Sequence, residues 1–267
     1  MTHNISKKKY KKILLLFSVI LISASAVGTY LYFHKISLKM PFLAPKAPPP
    51  APAVYKFEAV KEFQFSDDNA LKEWEEKVFR SKVIYQIEND GALSYVRATT
   101  DKAASALYYK IKMDARKKHP LISWKWEVKK FPAKKLPESL ETKDEDDFAA
   151  RVYVLFIAPF FTNSKVLEYI WAEKLPVGTS GASPYSSNIQ LIVLRSGLDN
   201  EEGFKFEERD IMADYLNAFG RPPEHDIGAV AFMTNAEHTE SGADAMYDDI
   251  KLGYKEDATK EEKGGGL

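Results

Sequence analysis

Ile122-Ser123-Trp124-Lys125-Trp126-Glu127-Val128 carries an apolar side chain at every second position, with a hydroxyl, a lysine and a glutamate between them. A backbone that sends successive side chains to opposite faces reads this pattern as a β-strand with one buried face. Phe148–Ile157 is apolar on nearly both faces and is expected at the centre of a sheet. Ile189–Leu194 and Ile227–Thr234 are further apolar runs of strand length, and Val83–Ile87, Leu93–Ala98 and Ala104–Ile111 are shorter ones. In a last strand Met246, Ile250 and Leu252 alternate with Tyr247, Asp249 and Lys251, so Asp248 is expected on the apolar face. About eight strands between Gly, Pro, Asp and Asn turns predict a mainly β protein, a single β-sandwich or jelly roll. Two helices are expected to interrupt it. One is Asn69–Lys77, capped by Asp68, with Leu71, Trp74 and Val78 on a face; the other is Glu208–Phe219, stopping at Gly220.

Outward from this region the chain changes character. Its 267 residues have a formal net charge of zero, with 38 basic and 38 acidic side chains. Residues 1–50 hold eight lysines and no acid, leaving the remainder with a net charge of −8. Ile13–Phe33 is an uncharged, mostly apolar run of 21 residues behind the basic segment 1–12. That length spans a bilayer core, and the lysines place the N-terminus in the cytoplasm. The expectation is an uncleaved signal anchor in a bacterial inner membrane, with cleavage after Ala26 in Ala24-Ser25-Ala26 as the alternative. A Pro/Ala-rich linker over 34–54, an exported domain over 55–254 and a flexible tail over 255–267 complete the organisation. The absence of cysteine excludes disulfides, cysteine-ligated metal and a thiol nucleophile. Zero net charge removes the usual argument for nucleic acid.

Further residues carry a resemblance. Ile122-Ser123-Trp124-Lys125-Trp126, Asp146-Asp147-Phe148-Ala149-Ala150-Arg151-Val152-Tyr153-Val154 and Tyr169-Ile170-Trp171-Ala172 are the first of them. Leu175-Pro176-Val177-Gly178, Leu194-Arg195-Ser196-Gly197, Glu208-Arg209-Asp210, Asp214-Tyr215 and Tyr247-Asp248-Asp249-Ile250 follow in order. Together they resemble the bacterial family known as domain of unknown function 3047. The resemblance implies a galactose-binding-like jelly roll and carries no activity. Where that family tends to have Thr-Asp-Thr-Asp-Asn-Thr, this chain reads Thr234-Asn235-Ala236-Glu237-His238-Thr239.

Candidate chemistry gathers at a few places. Asp144-Glu145-Asp146-Asp147 leads into the central strand, where Asp147, Arg151 and Tyr153 share a face by alternation. It is read as an acidic turn paired to Arg151, a ligand-binding face, or a weak structural Ca²⁺ site through Asp144 and Asp146. Arg195 is expected on the face of Ile189, Leu191 and Val193. With Arg151, Arg209 and Asp248 it forms either structural ion pairs or a polar face for carboxylates and sugar hydroxyls. Trp171, read as preceding a loop, is a candidate for stacking on a sugar, as are Tyr169 and Tyr185; Trp124 and Trp126 are more naturally core. The leading expectation is a non-catalytic periplasmic module binding an envelope glycan or envelope protein. The alternatives are a polysaccharide hydrolase drawing a carboxylate pair from Asp146, Glu207 and Glu208, and a structural envelope protein.

Overall fold

A computed structural model describes residues 55–257, apart from 68, 92, 117 and 199–202. The expected membrane span and linker, the cap at Asp68 and most of the tail lie outside the described residues. Among the described residues no helix is long and apolar enough to cross a membrane.

The strands are β1 (Tyr55–Phe63), β2 (Glu75–Val78), β3 (Ile84–Asn89), β4 (Ser94–Asp101), β5 (Ala104–Met113), β6 (Pro120–Lys130) and β7 (Ala150–Phe156). They continue with β8 (Lys165–Ala172), β9 (Ser180–Ser183), β10 (Ser186–Ser196), β11 (Lys205–Asp210), β12 (Ile227–Asn235) and β13 (Gly242–Asp257). A single α-helix, α1 (Ile211–Phe219), is described. One sheet runs β11-β6-β13-β4-β3, with β1 also paired to β13; the other runs β2-β5-β12-β7-β8-β10-β9. The chain is therefore a two-layer β-sandwich with one helix. Described pairings are antiparallel except β8 with β10, which run parallel, a departure from an all-antiparallel jelly roll.

The alternation in β6 does what it predicts: Ile122, Trp124, Trp126 and Val128 enter the core between the sheets. There Trp124 meets Tyr169 at 5.3 Å, Trp126 meets Trp171 at 5.6 Å and Phe232 meets Tyr247 at 4.7 Å between ring centroids. β7, apolar on both faces, is the middle strand of the seven-stranded sheet. It is buried twice because a second apolar layer covers that sheet's outer face, where Tyr153 and Leu155 pack with Leu140 and Phe148.

Three sequence expectations need correction. The helix over Asn69–Lys77 is a short 3-10 turn, Ala70–Glu73, after which the chain turns extended at Trp74 and β2 pairs with β5. Trp74 is buried by this strand pairing and core packing rather than by a helical face. α1 begins at Ile211, not Glu208, because Glu208–Asp210 belong to β11 and Asp210 caps the helix by accepting from the Ala213 N–H at 3.0 Å. Gly220 stops it at φ +68° as expected. In β13, Asp249 takes φ +49° and the pairing with β6 slips between Asp248 and Lys251. This bulge reverses the alternation. Tyr247, Ile250 and Leu252 face the core together, whereas Met246 and Asp248 do not join them.

Candidate functional site

The pleat of β7 sends Val152, Val154 and Phe156 into the inter-sheet core and leaves Arg151, Tyr153 and Leu155 on the outer face. Register then brings Glu168 of β8 opposite Tyr153, and Met233 of β12 opposite Arg151. Tyr247 supports this floor from the other sheet: its hydroxyl donates to the Met233 carbonyl at 2.7 Å and accepts the Arg151 N–H at 3.3 Å.

Arg151 is buried, and its guanidinium organises the site. Nε donates to Asn235 Oδ1 at 2.8 Å and Nη1 to Glu168 Oε1 at 2.5 Å. Nη2 donates to the Asp146 carbonyl and lies 3.3 Å from Asp146 Oδ1, while the plane covers the Phe148 ring at 4.8 Å. Asn235 is the second hub. Its Oδ1 also accepts from Phe148 N–H, and its Nδ2 donates to Asp147 Oδ1 at 2.7 Å and Glu237 Oε2 at 2.9 Å. Such a network is stable only when its buried polar groups are matched.

Behind this layer, His238 Nδ1 lies 3.2 Å from Glu237 Oε1 and 3.5 Å from Asp147 Oδ1, and Nε2 is 2.7 Å from the Tyr185 hydroxyl. Burial disfavours the imidazolium, but the two carboxylates prevail and raise its pKa to about 10. Burial also works against ionised Asp147, yet His238 and the Thr239 N–H, at 2.6 Å, hold it well below the ordinary carboxylate range. Lys134 and Glu138 form a separate buried pair at 2.8 Å. Burial pushes Glu168 up to about 7 and raises Asp146 and Glu237 as well, with Arg151 offsetting only part of the effect at Glu168.

A narrow cleft opens over these groups. Arg151, Asp146, Glu168, Glu237 and Asn235 line one part; Leu155, Val166, Ile189, Met233 and Phe79 form an apolar wall; Ser183 and Tyr185 complete it. Its cavity volume is about 40 Å³, within a hollow of about 520 Å³ that includes the open mouth. That is room for a few waters or one small polar head. A wider, shallower depression of about 280 Å³ by the same measure lies on the other sheet, among Phe65, Lys125, Asp248, Asp249 and Lys251. The cleft is the stronger candidate because its ionisable groups are buried and strongly perturbed.

The structure thus brings together Asp146, Arg151 and Tyr153, with Asp147 directly behind them. It does not bring Trp171, Arg195, Arg209 or Asp248 there. Trp171 is in β8, one residue before the strand ends and the loop begins; it is 2% exposed and donates from Nε1 to the Gly197 carbonyl at 2.7 Å. A bulge between Val193 and Arg195 turns Arg195 away from the face of Ile189, Leu191 and Val193, so that it lies 5.8 Å from the Trp171 ring and pairs with Glu207 at 2.5 Å. Arg209 pairs with Asp214 at 2.5 Å, and Asp214 also accepts from the Tyr169 hydroxyl. Glu207 and Glu208 sit on β11 of the opposite sheet, Glu208 holding the Tyr55 hydroxyl, so neither joins Asp146. Asp144 is exposed, while Asp146 is buried against Arg151. The groups that do converge are Asp147, Glu237 and His238, with ligand atoms within 4.8 Å of one another. Sequence reasoning missed Glu168, Glu237, His238 and the role of Asn235. The signal for Glu168 was available: Val166-Leu167-Glu168-Tyr169-Ile170-Trp171 has strand composition with one acid on an apolar face.

Replacing Trp171 with Phe should therefore lower stability by roughly 1–2 kcal/mol, through the lost hydrogen bond and a small void. Urea unfolding checks this, and ligand binding at the cleft should not change.

A family model described as "Protein of unknown function (DUF3047)" matches residues 72–251. No curated protein matches the chain. Among solved structures, it is similar to the family 11 carbohydrate-binding module of the cellulosomal cellulase Lic26A-Cel5E of Clostridium thermocellum. That likeness has 11% identity, 76% of this chain and 96% of the other, and a TM-score of 0.38. It is also similar to a protein of unknown function with a galectin-like fold from Bacillus subtilis, with 12% identity, 76% and 99% coverage and a TM-score of 0.35.

Proposed function

The chain belongs to the DUF3047 family, and from that premise we propose that its sandwich is a non-catalytic binding module whose Arg151–Glu168 cleft takes a terminal or protruding polar group of an envelope glycan. The observation that carries this reading is the lining of the cleft: carboxylate acceptors set against an apolar wall, in a space too narrow for a polymer lying flat. The carboxylates are held in place, Asp146 and Glu168 by Arg151 and Glu237 by Asn235. In the same proposal the apolar run Ile13–Phe33 anchors the chain in the inner membrane, and the Pro/Ala-rich 34–54 carries the sandwich into the periplasm.

A second reading, hydrolysis of an envelope polysaccharide, is favoured by one observation: a buried glutamate near pKa 7 is poised for general-acid work. The pair would then be Asp146 and Glu168, not Glu207 or Glu208.

Titrating the full chain in detergent micelles with soluble envelope-glycan fragments separates these readings. Saturable binding without product is expected, with hydrogen-exchange protection centred on Arg151, Tyr153, Glu168 and Tyr185, unchanged in Glu207→Gln. Product release that disappears in Glu168→Gln would establish hydrolysis. Protection centred on Lys125 and Asp248 would overturn the site.

A further inference from the structure

We propose that the group received by the cleft is a primary ammonium, so that the module selects glycans bearing free amino groups over their N-acetylated counterparts. This rests on the binding reading above and names its ligand chemistry.

The charge inventory is the first ground. Three carboxylates, Asp146, Glu168 and Glu237, line the cleft with one guanidinium, Arg151. Behind them Lys134 cancels Glu138, and His238 is shared between Asp147 and Glu237, so four carboxylates meet two cations and the cluster keeps an excess of negative charge. Buried carboxylates in such excess favour a cation, whose attraction and N–H donors offset the cost of desolvating it.

The second ground is the direction of the hydrogen bonds. Arg151 has Nε on Asn235, Nη1 on Glu168 and Nη2 on Asp146. A ligand carboxylate or phosphate would find no guanidinium edge to dock on. Each carboxylate has several lone-pair positions beyond those that Arg151 fills, and, beside the Asn235 amide, the other donors of the lining are the neutral hydroxyls of Tyr153, Ser183 and Tyr185. The cleft therefore asks for a donor.

Size is the third. The space of about 40 Å³ suits an ammonium and the carbon that bears it, with Leu155, Val166 and Ile189 against the carbon. An acetamide adds a carbonyl and a methyl and removes the charge that the three carboxylates would meet. Burial raises the pKa of all three carboxylates, as expected of a cluster that lacks its counter-charge.

The test compares glucosamine oligomers with N-acetylglucosamine oligomers of equal length, titrated calorimetrically into the full chain in micelles at pH 7 and moderate salt. The amino form should bind more tightly by at least about tenfold. Glu168→Gln should abolish the preference, while Glu224→Gln, which removes the same charge from an exposed site, should keep it. If Glu168→Gln fails to fold, Glu237→Gln takes its place. Equal affinity for both oligomers, or a preference surviving both cleft variants, overturns the ammonium assignment and leaves the binding reading intact. Tighter binding of an acidic glycan overturns it too. Failure of every envelope-glycan fragment to bind removes the binding reading itself.

Discussion

Arg151→Met is expected to cost about 3–5 kcal/mol of folding stability, the range for removing one partner from a buried ion pair. Arg151 is 3% exposed and its guanidinium serves Glu168, Asp146 and Asn235 simultaneously, so its loss leaves two carboxyl groups and an amide oxygen facing one another without a donor. Methionine keeps much of the stem volume, which limits the cavity contribution. The loss should be smaller at pH 5 than at pH 8, because Glu168 already sits near 7 and can relieve the site by taking a proton. Urea midpoints at the two pH values read this directly. The double variant Arg151→Met/Glu168→Met should regain part of the stability, since apolar side chains often replace a buried ion pair without loss. If it also loses ligand binding, the charges serve recognition more than folding. A single-variant effect below about 1 kcal/mol would mean that water enters the cluster and screens it.

The sandwich was legible because its strands are locally self-describing. Ile122–Val128 declares both its conformation and its buried face, and Phe148–Ile157 declares its central place by being apolar on both faces. The meeting of Arg151 and Tyr153 followed from the two-residue period alone. Parity failed where a bulge intervened. At Asp249 and between Val193 and Arg195 a single irregular residue reverses which side chains face inward, and a pattern of residue types does not mark that event. The rest of the site was hidden for a different reason. Asn235 and Glu237 reach Asp146 and Asp147 only because β12 pairs with β7 from more than eighty positions away. Nothing local to either segment encodes that partnership. Trp171 was misplaced because the small polar residues after Ala172 drew attention past the strand that ends there.

Stability should be greatest near pH 4–5 and fall continuously toward pH 9, an acid-tilted profile that follows from the same cluster. His238 is raised from its ordinary 6.5 to about 10. A group whose folded pKa is raised contributes fully below its unfolded value and loses that contribution as pH climbs through the folded one, here between 6.5 and 10. Glu168, raised from 4.5 to about 7, loses its contribution between those values, and Asp146 and Glu237 act in the same direction. Asp147 has the opposite sign: held low, it contributes above 3.8 and gives way only as pH falls below that. The two limbs are separable. His238→Gln should flatten the decline above pH 7, which is expected to be on the order of 2 kcal/mol by pH 9 once solvent screening of the quarter-exposed ring is allowed for. Glu168→Gln should flatten the decline between pH 4.5 and 7 and leave the upper limb unchanged. Wild-type stability that is level or rising between pH 7 and 9 would show that His238 is not clamped between Asp147 and Glu237 in solution. The imidazolium, and with it the cancellation of charge behind the cleft, would then be absent.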